Sequence, residues 1–441
     1  MGIPFYFASL VKSHRQIVNT VKKNVPMEVD VLGIDFNCLI HRYLKDEAPV
    51  QSVIEALDYI LKNVCRAKRV ILALDGLVPY AKIVQQRYRR MRIKEEGGGP
   101  FDRNQISPDT PYMRELEQAL TARFPYAFLS GTTQPGEGEH KLILEIRKIP
   151  EENRRSICIY GLDADLILIC LQHHALSSEN RMQLLREGNE FNDPKMKEAE
   201  FATLNVWGLL KQLPLPIDQY MILSMLCFGN DFMPSLGMFS LREDGYERAL
   251  EMYELARNPD LTTESGRRQF LEYAGSKEVE TLRKRISLRK RPEEKTVLGK
   301  NHNLISRKYG LHILDGVTNM QPVVEAYWKT FQWSYYYFKN SSPANWGWSY
   351  PYTDAPLVSD ILKHSEAAAI VQSPLDFTLT TQLQFIMPQS SLRKCKRRVI
   401  FPDELHSETR NPWMKRHDWE MKPRISLPWN PIYAQTTVSR L

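Results

Sequence analysis

The first half of the chain alternates short apolar runs with segments of helical periodicity. Three runs rich in Val, Ile and Leu, residues 29–36, 69–76 and 156–163, have the length and β-branched content of fully buried strands. Between them, residues 50–65 and the stretch after Tyr112 carry apolar side chains at helical spacing. Strands that alternate with helices predict an α/β fold with a mostly parallel central sheet flanked by helices.

Each of these predicted strands ends in an aspartate, or in a pair of them, and further acidic residues lie where turns lead into predicted helices. The seven residues are Asp35, Asp75, Glu137, Glu139, Asp163, Asp165 and Asp231. The carboxyl ends of parallel strands meet along one edge of a sheet, so we expect these side chains to converge. Any one of them is equally well explained as a helix cap or a turn residue. Seven carboxylates at one edge, however, would repel one another strongly unless cations neutralised them.

The residue types indicate which cation to expect. Oxygen ligands without a His or Cys cluster favour Mg²⁺, for which Mn²⁺ can substitute, over zinc. Two such ions roughly 3.5–4 Å apart can activate a water and stabilise the leaving oxygen of a phosphodiester. The sequence therefore predicts metal-dependent hydrolysis of a phosphodiester, which needs no serine or cysteine nucleophile.

A basic segment begins shortly after Asp75. Residues 80–94 contain six basic residues and no acidic one. If they form a helix, four polar side chains share one face, namely Lys82, Gln86, Arg89 and Arg90. Such a stripe is suited to holding a terminal phosphate through charge-assisted hydrogen bonds, although a solvated basic helix would show the same pattern. Its position close to the acidic edge favours the phosphate site.

Aromatic side chains are candidates for contact with a nucleic-acid base. His41 follows Asp35 by six residues, and Trp346 and Trp348 lie in a segment, residues 327–352, that holds twelve aromatic residues. A ring from either place could stack on a base, but most of the twelve are expected to form core.

Composition places further limits on the interpretation. The formal net charge is +7, so an anionic partner is compatible but not required.

We expect residues 1–256 to form a nuclease core, residues 257–305 a basic linker, and residues 306–432 a smaller unit that packs on the core. The N-terminus lacks the features of a signal peptide, and the most apolar stretch, residues 157–171, contains two aspartates in its middle. A soluble, cytoplasmic protein with no membrane contact is expected, and the basic stretch 283–300 leaves a nuclear location open.

Taken together, the motifs resemble those of the Xrn family of 5′→3′ exoribonucleases. The matching segments are MGIPFYF, IDFNCLIH, LDGLVPYAKIVQQRYRRM, FDRNQISPDTPYM, PGEGEHK, YGLDADLI, CFGNDFMPSL, WSYYYF and NWGWSYPYTDAPLVSDIL. They occur in the family's order along nearly the whole chain. The resemblance implies a PIN/FEN-like nuclease core with a second, mostly helical, aromatic-rich unit, in a compact form limited to the catalytic core.

The resemblance also implies roles for the residues named above. The seven carboxylates would be the catalytic metal ligands, and the four side chains of the basic face would form a pocket for a 5′-monophosphate. His41 and a tryptophan of NWGW, preferably Trp348, would sandwich the first base. The implied activity is processive 5′→3′ digestion of single-stranded RNA to nucleoside 5′-monophosphates in RNA decay, by a monomer that a decapping enzyme could supply with substrate.

Two other functions remain open at this point. Flap endonucleases share carboxylates at the strand ends, so a structure-specific 5′ DNA nuclease is the nearest alternative. The segment GNDFMPSLGMFSL, however, lacks the Gly-rich hairpin with which those enzymes grip duplex DNA. An inactive RNA-binding scaffold would be expected to have lost some acidic ligands, whereas all seven are present.

Overall fold

The computed structural model describes most of the chain up to residue 399. The described residues are 3, 6–95, 100–161, 163–175, 181–191, 196, 198–241, 243–287, 317–352, 354–366, 370–399, 413–414 and 424–425. Only the backbone is described for residues 88, 89, 91–95, 175, 285–287, 413–414 and 424–425. The side chain of Arg89, most of the basic stretch 283–300 and most of residues 400–432 therefore lie outside the described part of the protein.

A seven-stranded sheet forms the centre of the molecule. Its strands are β1 Val18–Thr20, β2 Met27–Asp35, β3 Cys65–Ala73, β4 Phe128–Ser130, β5 Ser156–Tyr160, β6 Arg181–Glu187 and β7 Phe201–Asn205. They are ordered β1-β7-β6-β5-β2-β3-β4. The pairs from β6 across to β4 are parallel, whereas β7 runs antiparallel to β6 and β1. The predicted α/β fold with a mostly parallel sheet is confirmed. A separate two-stranded sheet joins β8 Trp413–Met414 to β9 Arg424–Ile425.

Helices cover both faces of the sheet. Those in the described residues are α1 Tyr6–Ser13, α2 Phe36–Tyr43, α3 Gln51–Tyr59, α4 Tyr80–Glu95, α5 Pro111–Arg123, α6 Gly138–Arg147, α7 Asp165–Ala175, α8 Val206–Leu210, α9 Ile217–Phe228, α10 Gly245–Leu255, α11 Glu264–Ser287, α12 Gln321–Asn340, α13 Val358–Ile361, α14 Leu379–Ile386 and α15 Gln389–Lys394. In the described part of the chain, no helix has the length and apolar character needed to cross a bilayer.

Strand β2 separates two hydrophobic cores because its side chains alternate between the two faces. Val31 packs into the core formed with α1, α6, α7 and α9, and Leu32 and Ile34 pack into the core formed with α2, α3 and α5. All three side chains are completely buried. A strand buried on both faces explains why the sequence of this strand is a continuous apolar run rather than an alternating one.

The aromatic segment adds an outer layer to the first core. Helix α12 buries Tyr327, Trp328, Trp333 and Tyr337 against α7 and α9. Helices α14 and α15 form a smaller third cluster with the start of α4. Both segments thus pack directly on elements that carry the predicted site residues.

The segment expected to be a basic linker, residues 257–305, contains a packed helix in its described part. Helix α11 spans residues 264–287 and buries Phe270, Leu271, Ala274 and Leu282 in the first core. These apolar residues recur at helical spacing, but the many charged residues between them obscure the pattern in the sequence.

One buried carboxylate of α11 predicts how stability depends on pH. Glu278 accepts hydrogen bonds from the backbone N–H groups of Val358 and Ser359, at 2.6 and 3.0 Å, at the start of α13. Burial raises the pKa of Glu278 from 4.5 to about 7. Below pH 4.5 the carboxyl is protonated in both the folded and the unfolded chain. As the pH rises from 4.5 to 7 the unfolded chain ionises first, so the free energy of unfolding falls, and above pH 7 this loss is complete.

We therefore expect Glu278→Gln to flatten the fall in stability between pH 5 and pH 8, by up to about 3 kcal/mol relative to the unmutated protein. The amide has no titratable proton. Its oxygen keeps one of the two acceptor positions, and loss of the other should lower stability equally at every pH. Chemical denaturation at several pH values measures the difference, with the exposed Glu254→Gln in α10 as the control. Parallel pH profiles for the unmutated protein and Glu278→Gln would contradict the assignment.

Candidate active site

The structure places the seven acidic residues at the carboxyl edge of the sheet and at the helix starts that face it. Asp35 ends β2, Asp75 follows β3 by two residues, Asp163 and Asp165 follow β5, Glu137 and Glu139 begin α6, and Asp231 follows α9. Glu137 occupies the N-cap position of α6, yet its side chain makes no capping hydrogen bond. Capping therefore does not explain why this residue is acidic.

A cavity of about 330 Å³ opens at this edge of the sheet. Five of the predicted carboxylates line it, namely Asp35, Asp75, Glu137, Glu139 and Asp163. Three side chains of the basic helix face and the predicted stacking histidine line it as well, namely Lys82, Gln86, Arg90 and His41. Residues separated by more than 120 positions in sequence thus share one cavity.

Glycine at position 138 allows helix α6 to approach the ends of β2 and β3. A Cβ atom at this position would lie 2.9 Å from the carbonyl oxygen of Ala73 and 3.0 Å from Oδ1 of Asp35. The backbone N–H of Gly138 donates a 2.8 Å hydrogen bond to Oδ1 of Asp75. The positive end of the α6 dipole is therefore directed at these two carboxylates.

Three carboxylates form a compact group with the features of a cation site. Oxygens of Glu139, Asp163 and Asp165 all lie within 4.8 Å of one another. Oδ1 of Asp165 is buried and has no hydrogen-bond partner among the described residues. An unsatisfied buried carboxylate oxygen is costly unless a ligand occupies the space beside it. These donors fit a divalent cation.

The electrostatics of the cluster lead to the same conclusion. Burial, together with Asp75 and Asp163, raises the pKa of Asp35 to about 7. Burial, together with Asp231 and Asp163, raises the pKa of Asp165 to about 7. Burial also raises the pKa of Glu139 well above its ordinary value. Without a counter-charge, part of the cluster would have to take up protons near neutral pH.

Lys82 provides part of that counter-charge. Its Nζ lies 2.6 Å from Oε2 of Glu137 and 3.0 Å from Oδ2 of Asp231, and its side chain is 5% exposed. Burial disfavours the ammonium, but the surrounding carboxylates outweigh that effect and raise the pKa of Lys82 well above its ordinary value. Lys82 thus contacts the acidic cluster itself and also lines the cavity, at the junction between its acidic and basic parts.

The other described members of the basic face lie further along the cavity wall. Arg90 donates hydrogen bonds to the carbonyl oxygens of Arg103, at 3.0 Å, and Ile106, at 2.6 Å. Oε1 of Gln86 is buried and has no hydrogen-bond partner among the described residues. Arg90 therefore also holds the 103–106 loop in place.

Residues 377–399 hold helix α4 from its outer side, a role that the sequence did not reveal. The side-chain amide of Gln382 accepts a hydrogen bond from the N–H of Val78 at 2.9 Å and donates to the carbonyl of Gly76 at 3.3 Å. Arg87 donates to the carbonyl of Phe385. These contacts fix the loop between Asp75 and the basic face.

The two candidate tryptophans lie outside the cavity lining. The indole N–H of Trp348 donates to Oγ1 of Thr330 at 3.1 Å, and its ring packs against the first core. The backbone carbonyl of Trp346 accepts a hydrogen bond from the N–H of Tyr80, the first residue of α4. The stacking role of either ring, and the preference for Trp348, stay predictions.

Two further side chains, those of Tyr337 and His140, lie next to Glu137. The sequence motifs did not indicate that they would. The hydroxyl of Tyr337 donates a 2.8 Å hydrogen bond to Oε1 of Glu137. The ring of His140 stacks on that of Tyr337 with centroids 4.0 Å apart. Burial lowers the pKa of His140 to about 3, so the imidazole is neutral. One of its nitrogens lies within 4.8 Å of oxygens of Glu137 and Glu139. The motifs WSYYYF and EHK contain these residues, but nothing in either motif links positions 200 residues apart.

Comparisons with known proteins give two family matches. A family model described as "XRN 5′-3′ exonuclease N-terminus" matches residues 1–99 and 94–188, and one described as "Xrn1 helical domain" matches residues 306–397. The two models together cover well over half of the chain.

Several curated proteins are similar to the chain over more than half of its length. The 5′-3′ exoribonuclease 1 of Saccharomyces cerevisiae is 28% identical over an alignment of 321 positions, which covers 58% of this chain and 21% of the relative. The 5′-3′ exoribonuclease 2 of the same yeast is 27% identical over 58% of this chain and 36% of the relative. The human 5′-3′ exoribonuclease 1 is 26% identical over 55% of this chain and 18% of its own length. The chain thus spans well under half of the length of these relatives.

A solved structure, the catalytic core of Rad2 in complex with DNA substrate, aligns with 76% of this chain and 94% of its own. The TM-score is 0.40 and the sequence identity 16%.

The cation site predicts that acidic residues destabilise the protein when no metal is bound. Asp165→Asn removes a carboxylate whose pKa is raised from 3.8 to about 7. In the unmutated protein without metal, the free energy of unfolding therefore falls as the pH rises through this range. In EDTA at pH 8 we expect the variant to be more stable than the unmutated protein by roughly 1–4 kcal/mol, and the two to be equally stable near pH 4.

Divalent cation should reverse the order, because only the unmutated protein has the full ligand set. Thermal unfolding in EDTA and in MgCl₂ measures both effects, with Asp58→Asn in α3, remote from the sheet edge, as the control. The Asp58 side chain is 25% exposed and pairs with Lys62 and Arg123, so its loss should act equally in both buffers. A variant that is less stable in EDTA and still gains full stability from Mg²⁺ would exclude Asp165 from the site.

Proposed function

Because this chain belongs to the Xrn family of 5′-3′ exoribonucleases, we propose that it hydrolyses single-stranded RNA from a 5′-monophosphorylated end, with Mg²⁺ as cofactor. Nucleoside 5′-monophosphates would be the products. Delivery of substrate by a decapping enzyme, a monomeric state and a cytoplasmic location stay predictions from the family resemblance.

One observation carries the proposal. The cavity that five carboxylates line is also lined by Lys82, Gln86 and Arg90, which lie on one face of helix α4. The acidic side suits divalent cations, and the basic side suits a terminal phosphate. A phosphate bound beside the carboxylates would place the first internucleotide bond close to them. This juxtaposition favours cleavage that starts from a 5′ end over cleavage within a strand.

The residues divide the chemistry between them. Asp35, Asp75, Asp163 and the other acidic residues would hold the divalent cations, which when bound polarise a phosphoryl oxygen and make water a stronger nucleophile. The neutral amide of Gln86 and the guanidinium of Arg90 would orient the terminal phosphate through hydrogen bonds. His41, exposed at the cavity wall, would stack on the first base.

From the size and walls of the cavity we infer a preference for single strands. Its walls come from α2, α4, the 103–108 loop and the start of α6, and its volume suits one terminal nucleotide rather than a stacked base pair. A paired end would have to separate before it could enter.

A product assay tests the proposed activity. We expect RNA with a 5′-monophosphate to yield mononucleotides in Mg²⁺, whereas the same RNA with a 5′-triphosphate or 5′-hydroxyl should react at least tenfold more slowly. Label at either end distinguishes release from the 5′ end from internal cleavage.

Asp163→Ala with Asp165→Ala should abolish turnover but retain RNA binding. Preferential cleavage of flapped DNA would instead support a structure-specific DNA nuclease.

Substitution of the basic face tests how the end is recognised. Arg90→Met and Gln86→Leu should lower the preference for phosphate over hydroxyl ends, Arg90→Met by about 1.5–3 kcal/mol or one to two decades in relative rate. The ratio of kcat/KM for the two ends is the measurement, and thermal unfolding reports any loss of the contacts of Arg90 with the 103–106 loop.

Lys68→Met is the control, because this lysine is exposed and lies on β3 away from the cavity. An unchanged end preference in both cavity variants would remove the phosphate pocket from the proposal while leaving the metal site intact.

A further inference from the structure

Glu137 is held by hydrogen bonds from two sides. Its Oε2 pairs with the ammonium of Lys82 at 2.6 Å, and its Oε1 accepts from the hydroxyl of Tyr337 at 2.8 Å. The residue is 2% exposed. Each carboxylate oxygen has two acceptor positions, so both oxygens keep capacity for a further ligand while their directions are fixed.

Tyr337 itself has little freedom to move. Its ring stacks on His140 at 4.0 Å and contacts Trp333 and Phe232, with centroids 5.2 and 5.9 Å away. The residue is 1% exposed. A ring packed on three sides loses little further entropy when its hydroxyl makes a directed hydrogen bond, so the bond can impose one orientation on its partner.

The same aromatic group reaches both halves of the cavity. Phe232 follows Asp231 in the chain, and the ammonium of Lys82 lies 5.8 Å from the centroid of the Phe232 ring. Tyr337 belongs to α12, whereas Lys82 belongs to α4 and Glu137 is the N-cap residue of α6. The contact therefore connects the aromatic helix to the carboxylate cluster.

The hydroxyl of a buried tyrosine needs a hydrogen-bond partner, and here that partner is a carboxylate of the acidic cluster rather than a backbone carbonyl. The hydroxyl of Tyr337 donates to Oε1 of Glu137 at 2.8 Å, while the opposite oxygen of the same carboxylate pairs with Lys82. The ring of Tyr337 is buried by its aromatic neighbours and not by its hydroxyl. Loss of the hydroxyl should therefore change the orientation of the Glu137 carboxylate more than the packing of the ring.

We propose that Tyr337 is a positioning residue that fixes the carboxylate of Glu137 for cation binding and phosphodiester hydrolysis, so that helix α12 completes the active site. The proposal rests on the proposed function. It assigns a role to a residue outside the acidic cluster and the basic face.

Tyr337→Phe is the test, because it removes only the hydroxyl and keeps the ring. The matched control is Tyr336→Phe, since Tyr336 is the neighbouring tyrosine of the same helix and is 42% exposed. We expect Tyr337→Phe to lower kcat about tenfold with KM for RNA within twofold. We also expect Mn²⁺ binding, followed by electron paramagnetic resonance without RNA, to weaken at least threefold. Tyr336→Phe should change neither quantity.

A double-mutant cycle shows whether Tyr337 acts through Glu137. In the Glu137→Gln background, Tyr337→Phe should have less than half of its separate effect on Mn²⁺ affinity, because the oriented carboxylate is already gone. Additive effects would overturn the proposal, as would a Tyr337→Phe variant that matches Tyr336→Phe in both kcat and Mn²⁺ affinity. If the unmutated protein neither binds Mn²⁺ nor degrades RNA, the proposed function fails instead.

Discussion

Repulsion between buried carboxylates is the constraint on which the site depends. Asp35, Glu139 and Asp165 are each at least 95% buried, and each has a pKa raised by burial and by acidic neighbours. Such an arrangement persists only where the rest of the fold holds it in place, because the repulsion between the carboxylates would otherwise push them apart. The ammonium of Lys82 offsets part of this repulsion, and bound cations would offset the remainder.

The surrounding packing explains how the fold tolerates this. Strands β2, β3 and β5 are buried on both faces and fix the backbone from which the carboxylates extend. Helix α4 is held by α14 and α15 from outside, and Gln382 binds the loop that joins Asp75 to α4. Helix α12 closes the opposite side through Tyr337. The basic and acidic walls of the cavity therefore cannot move apart independently, which is what recognition of a chain end next to a hydrolytic centre requires.

Sequence patterns predicted those parts of the structure that depend on local periodicity or on chain direction. The apolar runs around Leu32, Leu72 and Ile159 predicted the parallel strands, and the parallel order brought Asp35, Asp75 and Asp163 to one edge. Contacts between distant segments were not predictable. Tyr337 and Glu137 are 200 residues apart, and Gln382 and Val78 are 304 apart, and no periodicity relates them. The dense charges of α11 likewise concealed its buried apolar residues.

A crystal structure with Mn²⁺ and a short 5′-phosphorylated RNA carrying a non-hydrolysable first linkage tests the central claim most directly. We expect anomalous density for the metal between the carboxylates of Glu139, Asp163 and Asp165, and the terminal phosphate of the RNA within hydrogen-bond distance of Gln86 or Arg90. The account would be contradicted if the metal were bound elsewhere, or if the 5′ end of the RNA lay outside the cavity.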